Sequence, residues 1–216
     1  MKISRLVLLV NLFLGLAFAE TGKPNIVFFL VDDLGWSDVG CNGSPFYDTP
    51  NIDRLAEEGV RFTSGYAACH VCSPTRASIL TGKYPATLNL TDWLDGRSNR
   101  PYQVLQNPDK AMALDPDEIT LAEVLKKEGY ATALFGKWHL GRNTTPTGHG
   151  FDLHVPYSVN SNLGRRGFYN PKDIPGLDGG EYVTDRLAEL AAKYIDVNKD
   201  RPFLLYMSPI LSLIHI

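Results

Sequence analysis

The chain has 216 residues, of which 44% are hydrophobic and 21% are charged, and its formal net charge is −3. This composition is typical of a folded globular protein and excludes an intrinsically disordered chain. The slightly acidic charge gives no electrostatic reason to expect nucleic acid as a partner, so a small molecule or a glycan is the expected ligand.

The N-terminus has the pattern of a secretory signal peptide. Lys2 and Arg5 precede an apolar run over 6–18, which ends in a small-x-small triplet that signal peptidases cleave. A retained membrane anchor is the alternative, but the run is shorter than the roughly 20 residues that a membrane-spanning helix needs. We therefore predict a signal peptide over 1–19 and one exported domain over 20–216, in a secreted, periplasmic or lysosomal compartment, with no stable membrane span.

The first part of the domain alternates predicted strands and helices. Residues 25–31 (NIVFFLV) form a nearly unbroken apolar, β-rich run, which is typical of a strand covered on both faces in a parallel sheet. Thr49 has the residue type of an N-cap, and a proline and a glycine bound the helix that we predict over 50–58. Residues 60–62 then predict a short strand, and 73–80 predict a helix that stops at a glycine.

The second part continues the alternation. The capping box Thr120–Glu123 begins a helix that ends at Gly129, and 130–135 is the strand that follows. Residues 181–197 have apolar positions at helical spacing, and 202–207 (PFLLYM) form another apolar strand. Segments rich in Pro, Gly, Asn and Asp predict long loops at 88–117 and 141–180. This series indicates an α/β fold with a mostly parallel central sheet flanked by helices.

The strongest local signal is Cys72-Ser-Pro-Thr-Arg76, which is followed in the same helix by Leu80-Thr-Gly82. This segment resembles the signature of the sulfatase family. The resemblance implies that Cys72 is oxidised to formylglycine, which is the nucleophile and a metal ligand, and that Arg76 stabilises it or binds a sulfate oxygen. The predicted position of Cys72 at a helix N-terminus suits this chemistry, because backbone N–H groups there attract anions.

The cysteines leave two further questions open. Cys69-His-Val-Cys72 has the spacing of a redox pair or half a zinc site, but no second cysteine pair follows it. If Cys72 is consumed by a modification, Cys41 and Cys69 remain as a possible disulfide in an exported protein. The sequence does not decide this pairing, because it does not give the distance between the two residues.

Two acidic residues, Asp32 and Asp33, end the first predicted strand. Neighbouring residues of a strand point to opposite faces, so both carboxylates can reach one ion only where the chain turns, as Leu34-Gly35 predicts. A solvated strand end with a helix cap is the alternative. With the cysteine signature downstream, the sulfatase resemblance implies that Asp32 and Asp33 bind one calcium ion, for which oxygen ligands are suited.

The segment Gly136-Lys137-Trp138-His139-Leu140-Gly141 resembles the second sulfatase motif. The resemblance implies that Lys137 contacts the sulfate and the nucleophile, and that His139 holds or deprotonates a hydroxyl of the nucleophile. Both residues follow a predicted strand and can face a cleft at the carboxyl edge of the sheet, where α/β proteins bind ligands. An isolated Lys-Trp-His would more often have a structural role.

The resemblance extends over 23–207 and is to the arylsulfatase and N-acetylgalactosamine-6-sulfatase branch of the alkaline-phosphatase-like superfamily. It implies an alkaline-phosphatase-like fold, and Ser158 resembles a substrate-contacting serine of some arylsulfatases. Beyond the last predicted strand the family places a histidine, then an Asp-Asn or Asp-His pair and a lysine. His215 lies in a different context and is not assigned. We therefore expect an apparently truncated chain that is incomplete at the C-terminus.

These patterns support one main function and two alternatives. The main hypothesis is a sulfuric ester hydrolase that uses a formylglycine and calcium. Its partners would be a small-molecule or glycan sulfate ester and a formylglycine-generating or sulfatase-maturating enzyme. The first alternative is a phosphoester or phosphonate hydrolase of the same superfamily, because the same groups can attack phosphorus. The second is a catalytically incomplete fragment that binds a sulfated glycan or nothing.

Overall fold

A computed structural model describes residues 22–156 and 181–210 of the chain. The predicted signal peptide over 1–19, together with Ser158 and His215, lies outside these residues. Within the described ranges, no helix combines the length and the apolar character needed to cross a membrane.

The centre of the fold is a parallel β-sheet. Its strands are β1 (Ile26–Phe29), β2 (Ala131–Gly136), β3 (Leu153–Pro156) and β4 (Phe203–Ser208). The strand order is β1-β4-β2-β3, and each neighbouring pair is parallel, so β4 lies between β1 and β2. Every residue of β2 and β4 is buried, which accounts for their mostly apolar sequences. The predicted parallel sheet is confirmed.

Helices pack on both faces of this sheet. The described helices are α1 (Pro50–Glu58), α2 (Cys72–Thr81), α3 (Leu121–Lys127) and α4 (Val183–Asn198). Leu187 of α4 packs with side chains such as Phe135 and Leu205 on one face. On the opposite face, Leu80 of α2 and Ala122 of α3 pack in a second cluster around Tyr206 of β4. The sheet is therefore flanked by helices, as the sequence predicts.

The predicted capping signals of α2 and α3 are present. Thr120 Oγ accepts a hydrogen bond from the Glu123 N–H at 3.2 Å, and the Glu123 carboxylate accepts one from the Thr120 N–H at 2.7 Å. Gly82 ends α2 with a left-handed φ of +69°, a conformation in which glycine pays no Cβ penalty. These two helices therefore begin and end close to where local chemistry predicts.

Two local predictions are wrong, and a third holds only for the position of the residue. Residues 60–62 form no strand, because no described strand lies beside them to share backbone hydrogen bonds. β3 lies inside the predicted loop 141–180, since four residues are too few to show a clear period. Thr49 is the N-cap residue of α1, as predicted, but its side chain makes no capping bond. Its hydroxyl instead accepts from the Gly40 N–H at 2.8 Å and donates to Asp53 at 3.0 Å.

Candidate active site

The predicted site residues come together at the carboxyl edge of the sheet. Asp32 follows β1, and Lys137 and His139 follow β2, so the parallel arrangement places them at the same end of the sheet, on either side of β4. The N-terminal turn of α2 brings Cys72 and Arg76 to the same edge, where each contacts a residue beyond β2. Contacts between distant parts of the sequence thus unite five predicted residues in one cluster.

Cys72, here the unmodified residue, lies against His139. The Cys72 sulfur is 3.0 Å from Nδ1 of His139, and Nε2 of the same ring contacts the backbone carbonyl of Leu94. Burial opposes ionisation of the thiol, but the hydrogen bond to His139 and the charge of Lys137 outweigh burial and lower the Cys72 pKa to about 7. Residue 72 therefore occupies an environment that favours a negatively charged nucleophile.

Arg76 is buried one helical turn after Cys72, and its guanidinium bridges three strand ends. Nη1 donates to the Lys137 carbonyl at 2.7 Å and to Ser208 Oγ at 2.6 Å. Nη2 donates to Oδ1 of Asp32 at 3.0 Å. The planar fork of an arginine can satisfy several acceptors at fixed angles, so Arg76 links the ends of β1, β2 and β4.

Asp32 is the anion between two cations. One carboxylate oxygen accepts from Arg76, and the other contacts Nζ of Lys137. Burial raises the pKa of Asp32, but the nearby charges of Arg76 and Lys137 outweigh burial and hold the pKa below its ordinary value. Asp32 therefore remains ionised at neutral pH.

Asp33 differs from the other predicted residues because it is exposed. Its φ of +65° breaks the extended conformation one residue before the predicted Leu34-Gly35 turn, so Asp32 and Asp33 need not alternate as in a strand. Their carboxylates have the hard oxygens that calcium prefers. However, the described residues contain no group of three or more His, Cys, Asp or Glu side chains placed to hold a metal. Two aspartates alone would supply only part of a calcium shell, which needs six to eight oxygen ligands.

The remaining cysteines are free thiols. Cys41 and Cys69 are not joined in a disulfide. The Cys69 N–H donates to Thr75 Oγ at 3.0 Å, and Thr75 Oγ donates back to the Cys69 carbonyl at 2.7 Å. These bonds tie the segment before Cys72 to the first turn of α2.

Two residues of the cluster were not predicted from the sequence. Leu94 lies within the predicted loop 88–117 and contacts two residues that adjoin Cys72. Its carbonyl meets His139, and its N–H donates to Ser73 Oγ at 3.1 Å. Ser208, the last residue of β4, accepts from Arg76. The sequence did contain a signal for Ser208, because a serine ends a buried strand at the edge where ligands bind. Leu94 acts through its backbone, so its residue type gives no signal in the sequence.

Known proteins match most of the chain. A sequence model of the family described as Sulfatase matches residues 24–212. Arylsulfatase A of Bos taurus is 40% identical over 154 residues, covering 68% of this chain and 28% of that protein. N-acetylgalactosamine-6-sulfatase of Mus musculus is 43% identical over 140 residues, covering 63% of this chain and 26% of that protein. The match thus spans less than a third of each of these relatives.

Solved structures have the same fold. The crystal structure of Ps i-CgsB has a TM-score of 0.67 and 30% identity, and the similarity covers 88% of this chain and 46% of that chain. A structure solved in complex with its substrate D-glucosamine-2-N,6-O-disulfate has a TM-score of 0.66 and 30% identity, covering 86% of this chain and 34% of that chain. The similarity therefore covers most of this chain and less than half of each of these solved chains.

Proposed function

This chain belongs to the sulfatase family and corresponds to the N-terminal part of its relatives. We propose that it provides the nucleophile for the hydrolysis of sulfate esters. The alkaline-phosphatase-like α/β fold expected from the sequence agrees with the solved sulfatase structures. The observation that carries the proposal is the 3.0 Å contact between Cys72 and His139 at the start of α2, within the field of the Lys137 charge. The match spans less than a third of the length of the curated relatives. Catalysis by a complete protein of that length is therefore also a proposal.

His139 is oriented to transfer protons at residue 72. Formylglycine formed from Cys72 would supply, as its hydrate, one hydroxyl to attack sulfur and a second to release sulfate. A carbonyl oxygen only accepts, so the contact with Leu94 assigns the ring proton of His139 to Nε2. Nδ1 then has a free lone pair and faces residue 72 at 3.0 Å. His139 can therefore hold a hydroxyl there and take its proton.

The surroundings of residue 72 are suited to an anionic ester. Val71, the N-cap residue of α2, makes no capping hydrogen bond through its side chain, so it leaves the N–H groups of the first turn unoccupied. Together with the positive end of the helix dipole, these groups attract a sulfate. Lys137 adds a positive charge that already lowers the pKa of Cys72. We infer that Lys137 contacts a sulfate oxygen and stabilises the charge that develops on the leaving group.

Asp32 and Asp33 would hold calcium, which supplies positive charge that acidifies a hydroxyl at residue 72 and balances the sulfate. Residue 72 itself would be a further ligand. The exposed carboxylate of Asp33 is accessible to an ion, and Asp32 is already ionised between its two cations. The family resemblance implies that the remaining ligands lie in the C-terminal part of the longer relatives.

The substrate and the cellular setting follow from the same proposal. We infer a sulfated glycan or small aryl sulfate as substrate, since one solved relative binds D-glucosamine-2-N,6-O-disulfate. A formylglycine-generating or sulfatase-maturating enzyme would act on Cys72. Export through the predicted signal peptide would deliver the protein to a secreted, periplasmic or lysosomal compartment.

Mass spectrometry of the tryptic peptide 62–76 tests the nucleophile directly. We expect that co-expression with a formylglycine-generating enzyme replaces the thiol of Cys72 by an aldehyde, and fragmentation distinguishes Cys72 from Cys69. Cys72→Ser should abolish the change, whereas Cys41→Ser should retain it. An unmodified Cys72 in a competent host would contradict the proposal.

Turnover distinguishes sulfate from phosphate chemistry. The complete protein, modified at Cys72, is assayed with an aryl sulfate and the corresponding aryl phosphate, with calcium present and after its removal by a chelator. We expect hydrolysis of the sulfate, lost after chelation and in Cys72→Ser. A large preference for the phosphate would support the alternative phosphoester hydrolase.

A further inference from the structure

Ser208 joins the separate parts of the candidate site through both its side chain and its backbone. It is fully buried at the end of β4, the strand between β1 and β2. Its Oγ accepts from Nη1 of Arg76 at 2.6 Å, and its carbonyl accepts from the Lys137 N–H at 3.0 Å. One serine therefore fixes a residue of α2 and the chain that follows β2.

The hydrogen bonds of Arg76 show why the serine hydroxyl matters. A guanidinium has five N–H donors, two on each Nη and one on Nε. The Lys137 carbonyl and Ser208 Oγ occupy both Nη1 donors, while Asp32 occupies one Nη2 donor. Nε is buried without a partner among the described residues. One Nη2 donor thus remains for a ligand, and the two Nη1 bonds set the plane in which it lies.

The approach of β2 to β4 fixes the position of Ser208 itself. Gly136 pairs with Ser208 in the sheet and has a φ of +114°. A Cβ at Gly136 would lie 2.1 Å from the Ser208 carbonyl oxygen, so only glycine allows this separation. The backbone contact restrains the main chain of Ser208, and its fully buried hydroxyl lies against Arg76.

We propose that Ser208 is a positioning residue that aligns the Arg76 guanidinium toward residue 72 and its substrate. The inference rests on the proposed sulfatase function, in which Arg76 stabilises the nucleophile or a sulfate oxygen. Without the hydroxyl, one Nη1 donor loses its partner and the guanidinium can rotate about its remaining bonds to Lys137 and Asp32. Ser208 acts through Arg76 and does not contact the reacting atoms.

The test compares Ser208→Ala with the control Ser78→Ala. Ser78 lies in α2, and its hydroxyl is buried without a partner among the described residues. NMR of the arginine-labelled protein, with Arg76→Lys used only to assign signals, reports the Arg76 Nη protons. We expect resolved, slowly exchanging Nη1 protons in the native protein and in Ser78→Ala, and their loss in Ser208→Ala. Unchanged signals in Ser208→Ala would overturn the proposal.

Kinetics on an aryl sulfate add the functional readout. We expect Ser208→Ala to lower kcat by roughly 10- to 100-fold, as is typical when a residue that orients a catalytic group is lost, with a smaller change in KM. Ser78→Ala should keep the native kcat. An unchanged kcat in Ser208→Ala despite altered NMR signals would refute the positioning role. If the native modified protein shows no turnover, the proposed function fails, and NMR alone then decides whether Ser208 holds Arg76.

Discussion

The buried charge cluster gives a prediction for Asp32→Asn, which removes one charge with little change in shape. The side chains of Arg76, Asp32 and Lys137 are only 2%, 10% and 18% exposed. The substitution leaves two cations facing each other without their shared anion. Removal of one partner from a buried pair costs about 3–5 kcal/mol. Because the Lys137 ammonium can move toward solvent and the new amide can still accept from Arg76, we expect a loss of about 3 kcal/mol in the free energy of unfolding.

Urea unfolding followed by circular dichroism at neutral pH measures this loss. The matched control is Asp196→Asn, which removes an ion pair with Lys199 whose side chains are 76% and 63% exposed. We expect the control to change the free energy of unfolding by less than about 0.5 kcal/mol. Adding Lys137→Met to Asp32→Asn should cost less than the sum of the single changes, because it removes one unpaired cation. A loss below about 1 kcal/mol for Asp32→Asn would refute the reasoning.

Three further substitutions test other parts of the fold by the same unfolding measurement. Gly136→Ala should prevent folding or destabilise the protein severely, because the new Cβ would meet the Ser208 carbonyl. Gly43 also has a positive φ but faces open space, so Gly43→Ala should lower the free energy of unfolding by only about 1–2 kcal/mol. Equal effects of the two substitutions would contradict the close contact at Gly136. Thr120→Ala should cost about 1–2 kcal/mol through loss of the capping box, and a neutral result would count against it. Burial raises the pKa of Asp152, but its hydrogen bonds outweigh burial and lower the pKa in the folded protein. Ionised Asp152 therefore stabilises the folded protein at pH values above the pKa of the unfolded state, and this stabilisation is lost as the pH falls through the folded pKa. The native protein should therefore lose more stability than Asp152→Asn between about pH 5 and pH 2, and parallel pH profiles would contradict this.

The elements that the sequence predicts well are those fixed by local chemistry. The capping box at Thr120–Glu123 and the apolar runs of β2 and β4 carry their own signals, so these elements lie within one or two residues of the prediction. β3 is missed because its four residues acquire strand character only by pairing with β2. The strand predicted at 60–62 fails for the converse reason, because its apolar residues have no partner strand in the described part of the chain.

The same division holds for the candidate site. Cys72, Arg76, Lys137 and His139 lie in compact motifs, and the structure brings them together, although their catalytic roles remain predictions. The contacts that orient them join residues far apart in sequence, such as Arg76 with Ser208, 132 positions later. No local pattern encodes such a pair, since it exists only when α2 and β4 pack at the same edge. The ionic partnership of Asp32 with Arg76 and Lys137 was likewise invisible before the fold placed them side by side.

The order of strands in the sheet has a consequence for biosynthesis. β4 is the last described strand to leave the ribosome, yet it separates β1 from β2. Before it arrives, β1 has no described partner and β2 pairs only with β3, and an isolated two-stranded pair is marginally stable at best. The nascent chain must therefore wait for residues 203–208, separated from β1 by more than 170 positions, and such long-range pairing slows folding. A ribosome that stalls before this point would release a chain with exposed strand edges, which are prone to aggregation.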